Sequence, residues 1–286
     1  MIIVIFGDIH GKFLLLAKLV DKLQEKRNIK IDLILQCGDA AIFPDINKLD
    51  RASKKHAGFD DNELGFSQYL TKQKPSEFET IMKEKIKGNI ICVRGNHEDH
   101  NYLDSLENKS SEPIFPVDVY KRVYVLKTGE RYNFTSNNES VKILGIGRIG
   151  QGRNKSESKY IQEYEKEKLK KYLKLNGLVD ILITHDSPFN FVTKNCGMKK
   201  IDEFIMINHP SIYFYSHTGK PYELRMYRNN VTEAYKVAEL EWNRNNLSLP
   251  YGSLLLLTWK DSIKNKVEVI YDDWFKEYNF YNWKDI

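Results

Sequence analysis

Apolar residues in this chain come in short runs, and many of those runs stop at a small polar cluster. Ile2 to Phe6 is an unbroken apolar stretch rich in β-branched side chains, which predicts a strand covered on both faces. Phe13 to Glu25 instead repeats leucine at Leu15, Leu19 and Leu23, the spacing of one helical face. Strand-like runs return at Asp32 to Gln36 and Asn89 to Val93. Between them lies a charged section, from about 40 to 88, in which Asn62 to Thr71 and Ser76 to Lys87 predict short helices.

In the second half, Arg122 to Leu126 and Val141 to Ile146 predict strands flanking a polar hairpin through Thr135-Ser136-Asn137-Asn138. A Gly-rich turn, Gly145 to Gly152, follows. The pattern then predicts a helix over Glu157 to Leu175, closed by Asn176-Gly177 as a left-handed cap, and a strand over Val179 to Thr184. Ile212 to Tyr215 is a further strand, and Glu223 to Tyr227, Ser253 to Trp259 and Lys266 to Tyr271 are expected to close a second sheet. Strands alternating with helices, without repeats or an evident linker, predict an α/β or layered sandwich architecture. One domain over 1–286 is expected, with the charged segment as an insertion.

The polar clusters carry the chemistry. Gly7-Asp8-Ile9-His10-Gly11, Gly38-Asp39, Gly95-Asn96-His97-Glu98, Thr184-His185-Asp186 and Ser216-His217 each follow a predicted strand. In an open α/β sheet that carboxyl edge is where ligands bind. Aspartate, asparagine and histidine supply oxygen and imidazole nitrogen, which suit Mn, Fe, Zn or Mg better than thiolate-seeking ions. One shared carboxylate could hold two such ions.

Composition narrows the setting. The chain has 286 residues and a formal net charge of +5, compatible with an anionic substrate but too mild to establish nucleic-acid binding. No apolar run approaches the length that spans a bilayer, and Met1 to Phe6 reads as a first strand rather than a secretory signal. Of the 3 cysteines, Cys37 and Cys92 lie in core-like strands, so the expectation is a reducing, cytoplasmic compartment. Cys37 reads as a small hydrophobe beneath the polar clusters rather than as a ligand.

Taken in order, the clusters resemble the calcineurin-like metallophosphoesterases, whose pattern is Asp-x-His, Gly-Asp, Gly-Asn-His-Asp/Glu, His and Gly-His-x-His. The resemblance runs from Asp8 to Gly219. It implies a layered α/β/β/α sandwich of two mixed β-sheets flanked by helices. It also implies two divalent metal ions, manganese foremost, with iron, zinc or magnesium as alternatives. Asp8 and His10 would bind one ion, Asp39 would bridge, and Asn96, His185 and His217 would bind the other. A hydroxide bridging the ions would attack the phosphoester, and His97 would protonate the leaving group.

The last motif departs from the pattern: Ser216-His217-Thr218-Gly219 lacks the second histidine, so the first ion would rest on Asp8, His10 and Asp39. Gly38-Asp39-Ala40-Ala41-Ile42-Phe43 also differs from the protein phosphatase branch, which continues with Tyr/Phe-Val-Asp-Arg-Gly. The spacing is similar to the RNA lariat debranching branch, with cysteine there where this chain has Asp8. The expected substrate is therefore a nucleotide or nucleic-acid phosphodiester, with monoesters and 2′,5′-branched RNA as alternatives. A metal-depleted phosphate-binding protein is the alternative of another class. Glu98, Asp99 and Asp45 are candidates to orient His97, and Arg94, Arg148 and Arg153 could contact phosphate or be structural. His56, His100 and His209 match no motif position and read as structural.

Overall fold

The computed structural model describes residues 1–71, 76–150, 157–175, 177–260 and 265–286. Arg153, Gly152 and Asn176 therefore lie outside the described residues. In chain order the elements begin β1 (Ile2–Phe6), α1 (Phe13–Arg27), β2 (Leu33–Gln36), α2 (Arg51–Ala57), α3 (Ser67–Thr71), α4 (Glu77–Glu84), β3 (Ile90–Cys92) and α5 (His100–Glu107). Then come β4 (Ile114–Pro116), β5 (Val123–Leu126), β6 (Arg131–Ser136), β7 (Glu139–Ile146), α6 (Glu163–Lys174), β8 (Ile181–Thr184), α7 (Lys199–Asn208) and β9 (Ile212–Tyr215). The chain continues with β10 (Glu223–Met226), β11 (Glu233–Lys236), β12 (Leu254–Thr258), β13 (Lys266–Val269) and α8 (Asp273–Lys276).

Among the described residues these strands form two mixed sheets, ordered β13-β12-β1-β2-β3-β5-β4 and β10-β11-β9-β8-β7-β6. In the first, β1, β2, β3 and β5 are parallel, and in the second β7, β8, β9 and β11 are. Strand alternation sorts the core into layers. Ile3, Ile5, Leu35 and Ile91 meet Ile143, Ile183 and Phe214 between the sheets. Val4, Phe6 and Ile34 turn the other way, onto Leu15, Leu19 and Leu23 of α1. On the far side, Leu144, Leu182 and Tyr213 pack on Leu169 of α6 and Phe204 of α7. The result is the expected α/β/β/α sandwich. No helix among the described residues is long and apolar enough to cross a membrane.

Four local expectations are corrected. β12 and β13 join the first sheet, not the second: Leu257 pairs with Ile3 and Leu255 with Ile5, because a strand apolar on both faces fits beside the buried β1. The hairpin partner of β7 is β6, through Asn137 (φ 52°) and Asn138 (φ 63°), a two-residue turn of the type that suits hairpin twist, whereas β5 stays in the first sheet. The helix predicted from Glu157 begins at Glu163, because the preceding residues make a turn (Tyr160 N–H to Glu157 O, 3.1 Å) and then pair with Ile149 (Ile161 N–H to Ile149 O, 3.0 Å). The helix predicted over Asn62 to Thr71 is split by Gly65 into a 3-10 turn at Asp61–Leu64 and α3.

Candidate metal centre

The parallel strands of both sheets end at one edge, and the seven motif residues collect there. Asp8 and His10 follow β1, Asp39 follows β2, Asn96 and His97 follow β3, His185 follows β8 and His217 follows β9. Backbone and side-chain bonds lock these ends together: His10 N–H donates to Asp39 O at 2.9 Å, and His97 N–H donates to Asp39 Oδ1 at 2.8 Å. The turns are sharp, with His10, Asp39 and His217 all in the left-handed region at φ 42°, 54° and 63°. Gly95 permits the closest approach, since a Cβ there would sit 1.9 Å from Asp39 Oδ1.

Two triads of metal-ligating atoms share Asp39: Asp8, His10 and Asp39, and Asp39, His185 and His217. The donor chemistry of the second fits a cation. His185 Nδ1 lies 3.0 Å from the Cys37 carbonyl, an acceptor that places the proton on that nitrogen. Nε2 then faces Asn96 Oδ1 at 2.9 Å and Asp39 Oδ2 at 3.3 Å with its lone pair. Three acceptors pointing at one another need a positive charge between them. Without an ion a proton serves: burial pushes the His185 imidazole down, but Asp39 and Asp8 override it and raise its pKa well above the ordinary value. Burial likewise opposes ionisation of Asp39, yet His185, His97 and His10 hold its carboxyl well below the usual range. In His217, burial and then the neighbouring His185 lower the pKa, which leaves a neutral imidazole.

His97 stands at the rim. Its Nδ1 lies 2.9 Å from Asp50 Oδ2, so Asp50 is the orienting carboxylate, and the three expected candidates do other work. Glu98 turns inward and accepts from Ala40 N–H at 2.9 Å and Ile42 N–H at 2.6 Å, shaping the loop after Asp39. Burial, then the Asp39 charge, pushes Glu98 up to about 7. Asp99 caps α5 and Asp45 caps a 3-10 turn. Burial lowers the His97 pKa, but the Asp50 hydrogen bond and then the Asp39 charge raise it to about 9. Asp50, despite desolvation, is drawn down to about 2 by that hydrogen bond and the cap it forms on α2.

Sequence reasoning missed part of the lining. The cavity in front of Asp8, His10, Asp39, His97 and His217 holds 190 Å³ and is also lined by His56, Glu63, Glu239 and Glu241. Glu63 and His56 come from the insertion; Glu239 and Glu241 follow β11. Their one legible signal was the alternation Ala238-Glu239-Leu240-Glu241-Trp242, an extended segment with one polar face. Arg94 and Arg148 are fully buried and paired to Asp104, Glu107 and Glu165, so neither faces the cavity. His209 caps α7 in a left-handed conformation, away from the centre.

The sequence profile of the calcineurin-like phosphoesterases matches residues 1–221. The chain belongs to that family, whose members are metal-dependent phosphoesterases. Solved structures share the fold at low identity. GAP50, the anchor in the inner membrane complex of Plasmodium, superposes with a TM-score of 0.54 at 12% identity, over 97% of this chain and 87% of that one. A protein from Thermus thermophilus gives 0.50 at 11% identity, over 94% and 99%. A phosphatase from Mycoplasma pneumoniae gives 0.49 at 12%, over 99% and 98%. No curated protein sequence matches the chain.

Proposed function

We propose that this phosphoesterase uses a dinuclear centre, manganese foremost, to hydrolyse a nucleotide or nucleic-acid phosphodiester, with monoesters as secondary substrates. The observation that carries the reading is the shared Asp39 between two triads of ligating atoms at the edge where both sheets end. Asp8, His10 and Asp39 would hold one cation, and Asp39, Asn96, His185 and His217 the other. Bound there, two divalent ions supply Lewis acidity, a water acidified toward neutral pH and neutralisation of charge at the phosphorus.

The remaining steps belong to side chains. Asp50 fixes His97 through Nδ1 and keeps it protonated, leaving Nε2 to donate to the departing alkoxide at the cavity rim. Beyond His217 lies a second cavity of 370 Å³, lined by Gly150, Asp186, Ser187, Thr193, Asn195 and Thr218 among others. Because both cavities touch His217, a phosphoryl group in the first leaves room for a nucleoside-sized arm in the second. That room is what favours a diester over a small monoester.

A substrate panel tests this: aryl and nucleoside mono- and diesters, cyclic nucleotides, single-stranded nucleic acid and 2′,5′-branched RNA, each with Mn²⁺, Mg²⁺, Fe²⁺ and Zn²⁺. His97→Ala should cost about 10²- to 10⁴-fold on nucleoside leaving groups and far less on p-nitrophenolate, which leaves without a proton. Equal losses on both would contradict general-acid action, and preference for a small monoester would overturn the diester assignment.

A further inference from the structure

The first triad offers three protein donors; a water would add a fourth, and an ion that prefers an octahedral oxygen shell, as Mn²⁺ and Mg²⁺ do, has room for a further protein oxygen. Gly219 cannot supply it, and a Cβ there would meet nothing within 4 Å. We propose that Glu241 takes that place, making the first position an oxygen-rich site of Asp8, His10, Asp39 and Glu241. This assignment rests on the dinuclear reading above.

The placement follows from the backbone. β11 runs parallel to β9, and the chain continues past it with Val237 N–H donating to Tyr215 O at 2.9 Å. Leu240 N–H then donates to Asp8 O at 2.7 Å, which pins the extended segment to the strand end that carries Asp8. Ala238, Leu240 and Trp242 are buried, so Glu239 and Glu241 face the cavity. Glu241 Oε1 is buried and has no hydrogen-bond partner among the described residues. It lies 3.6 Å from His10 Nε2 and 3.9 Å from His56 Nδ1. Two donors about 2.0–2.2 Å from one ion at tetrahedral angles stand roughly 3.3–3.6 Å apart, so the His10–Glu241 spacing is that of two ligands sharing an ion. His10, Glu63 and Glu241 form a third group of ligating atoms, which meets the first triad at His10. A buried carboxylate oxygen left without a donor is costly, and an ion removes the cost.

Glu63 is the other carboxylate near His10, its Oε2 at 3.8 Å from Nδ1, but its Oε1 is held by Lys12 at 2.7 Å. Glu239 lacks the close contact with His10. Replacing imidazole by carboxylate also hardens the first position relative to the second, which keeps His185 and His217. Mn²⁺ or Mg²⁺ should therefore fill the first position in preference to Zn²⁺.

Calorimetric titration of the full chain with Mn²⁺, with electron paramagnetic resonance to count sites and circular dichroism to verify folding, tests the assignment. The wild type should bind two ions. Glu241→Gln should weaken one of them tenfold or more, Glu239→Gln should leave both within threefold, and His217→Ala should weaken the other. If Glu241→Gln does not fold, Glu241→Asp should give an intermediate weakening of the same ion. Wild-type affinities in Glu241→Gln would overturn the assignment, as would a third ion whose loss is the sole effect of that change. Loss of an ion in Glu241→Gln from a wild type that hydrolyses no ester would sink the phosphoesterase reading alone; turnover with unaltered binding would sink this one alone.

Discussion

Asp50 joins two tasks in one carboxylate: it caps α2 through Ala52 N–H at 2.8 Å and Ser53 N–H at 3.0 Å, and it holds His97. Asparagine retains the cap and removes the charge, so Asp50→Asn isolates the second task. With Asp50 present the His97 pKa is raised to about 9, so the protonated acid persists through neutrality and is lost as pH rises past that value. The variant should lower kcat by about 10- to 100-fold and move the alkaline limb of kcat/KM toward the ordinary histidine range, about 6.5. An unchanged limb in the pH–rate profile would show that Asp50 does not set the acid. Glu98 acts on structure instead. Glu98→Ala leaves the Ala40 and Ile42 N–H groups without acceptors, and urea denaturation should register a loss of about 2–4 kcal/mol.

At the level of elements, ion pairs of two buried arginines that meet in the partly exposed Asp104 staple the two sheets beside the centre. Arg94, after β3, meets Asp104 and Glu107 of α5 at 2.5 and 2.6 Å; Arg148, after β7, meets the same Asp104 at 2.9 Å and Glu165 of α6 at 3.1 Å. His100 sits among them, 5% exposed, its Nδ1 3.3 Å from Arg148 Nη1. Burial, then Arg148 and Arg94, lowers its pKa to about 3. The fold thus holds His100 neutral, while the unfolded chain takes up its proton near 6.5. Its contribution to stability is full above about 6.5 and is lost as pH falls toward 3. His100→Gln should flatten the dependence of unfolding free energy on pH across that window by up to one proton, and an unaltered slope would refute it. The sequence left Arg94 and Arg148 as phosphate contacts or structural residues and read His100 as structural; the structural reading holds for all three, but their carboxylate partners on α5 and α6 were not legible. The seven motif positions were legible because each ends an apolar run. Asp50 and Glu63 were not, since they reach the centre from the insertion, and Glu241 showed only the alternating polar face of the segment after β11. The sheet membership of β12 was equally hidden, because it depends on pairing with β1 across the length of the chain.

Across the whole molecule, the carboxyl edge concentrates Asp8, Asp39, Glu63, Glu239 and Glu241 around one cavity, a charge that a bound cation would offset. An ion bound by the folded chain alone stabilises it by about 2.7 kcal/mol at one hundred times its dissociation constant. Chelation should therefore lower the thermal midpoint and added Mn²⁺ should raise it in a concentration-dependent way; a midpoint indifferent to both would argue against tight ion binding. The sandwich serves this edge by closing two sheets onto it, so that donors far apart in sequence converge on Asp39. The most direct test is steady-state hydrolysis of bis(p-nitrophenyl) phosphate with Mn²⁺ by the wild type and Asp39→Asn. Metal-dependent turnover that falls about a thousandfold in the variant is predicted, corresponding to roughly 4 kcal/mol of lost transition-state stabilisation. Turnover in Asp39→Asn within tenfold of the wild type would contradict the shared-carboxylate centre.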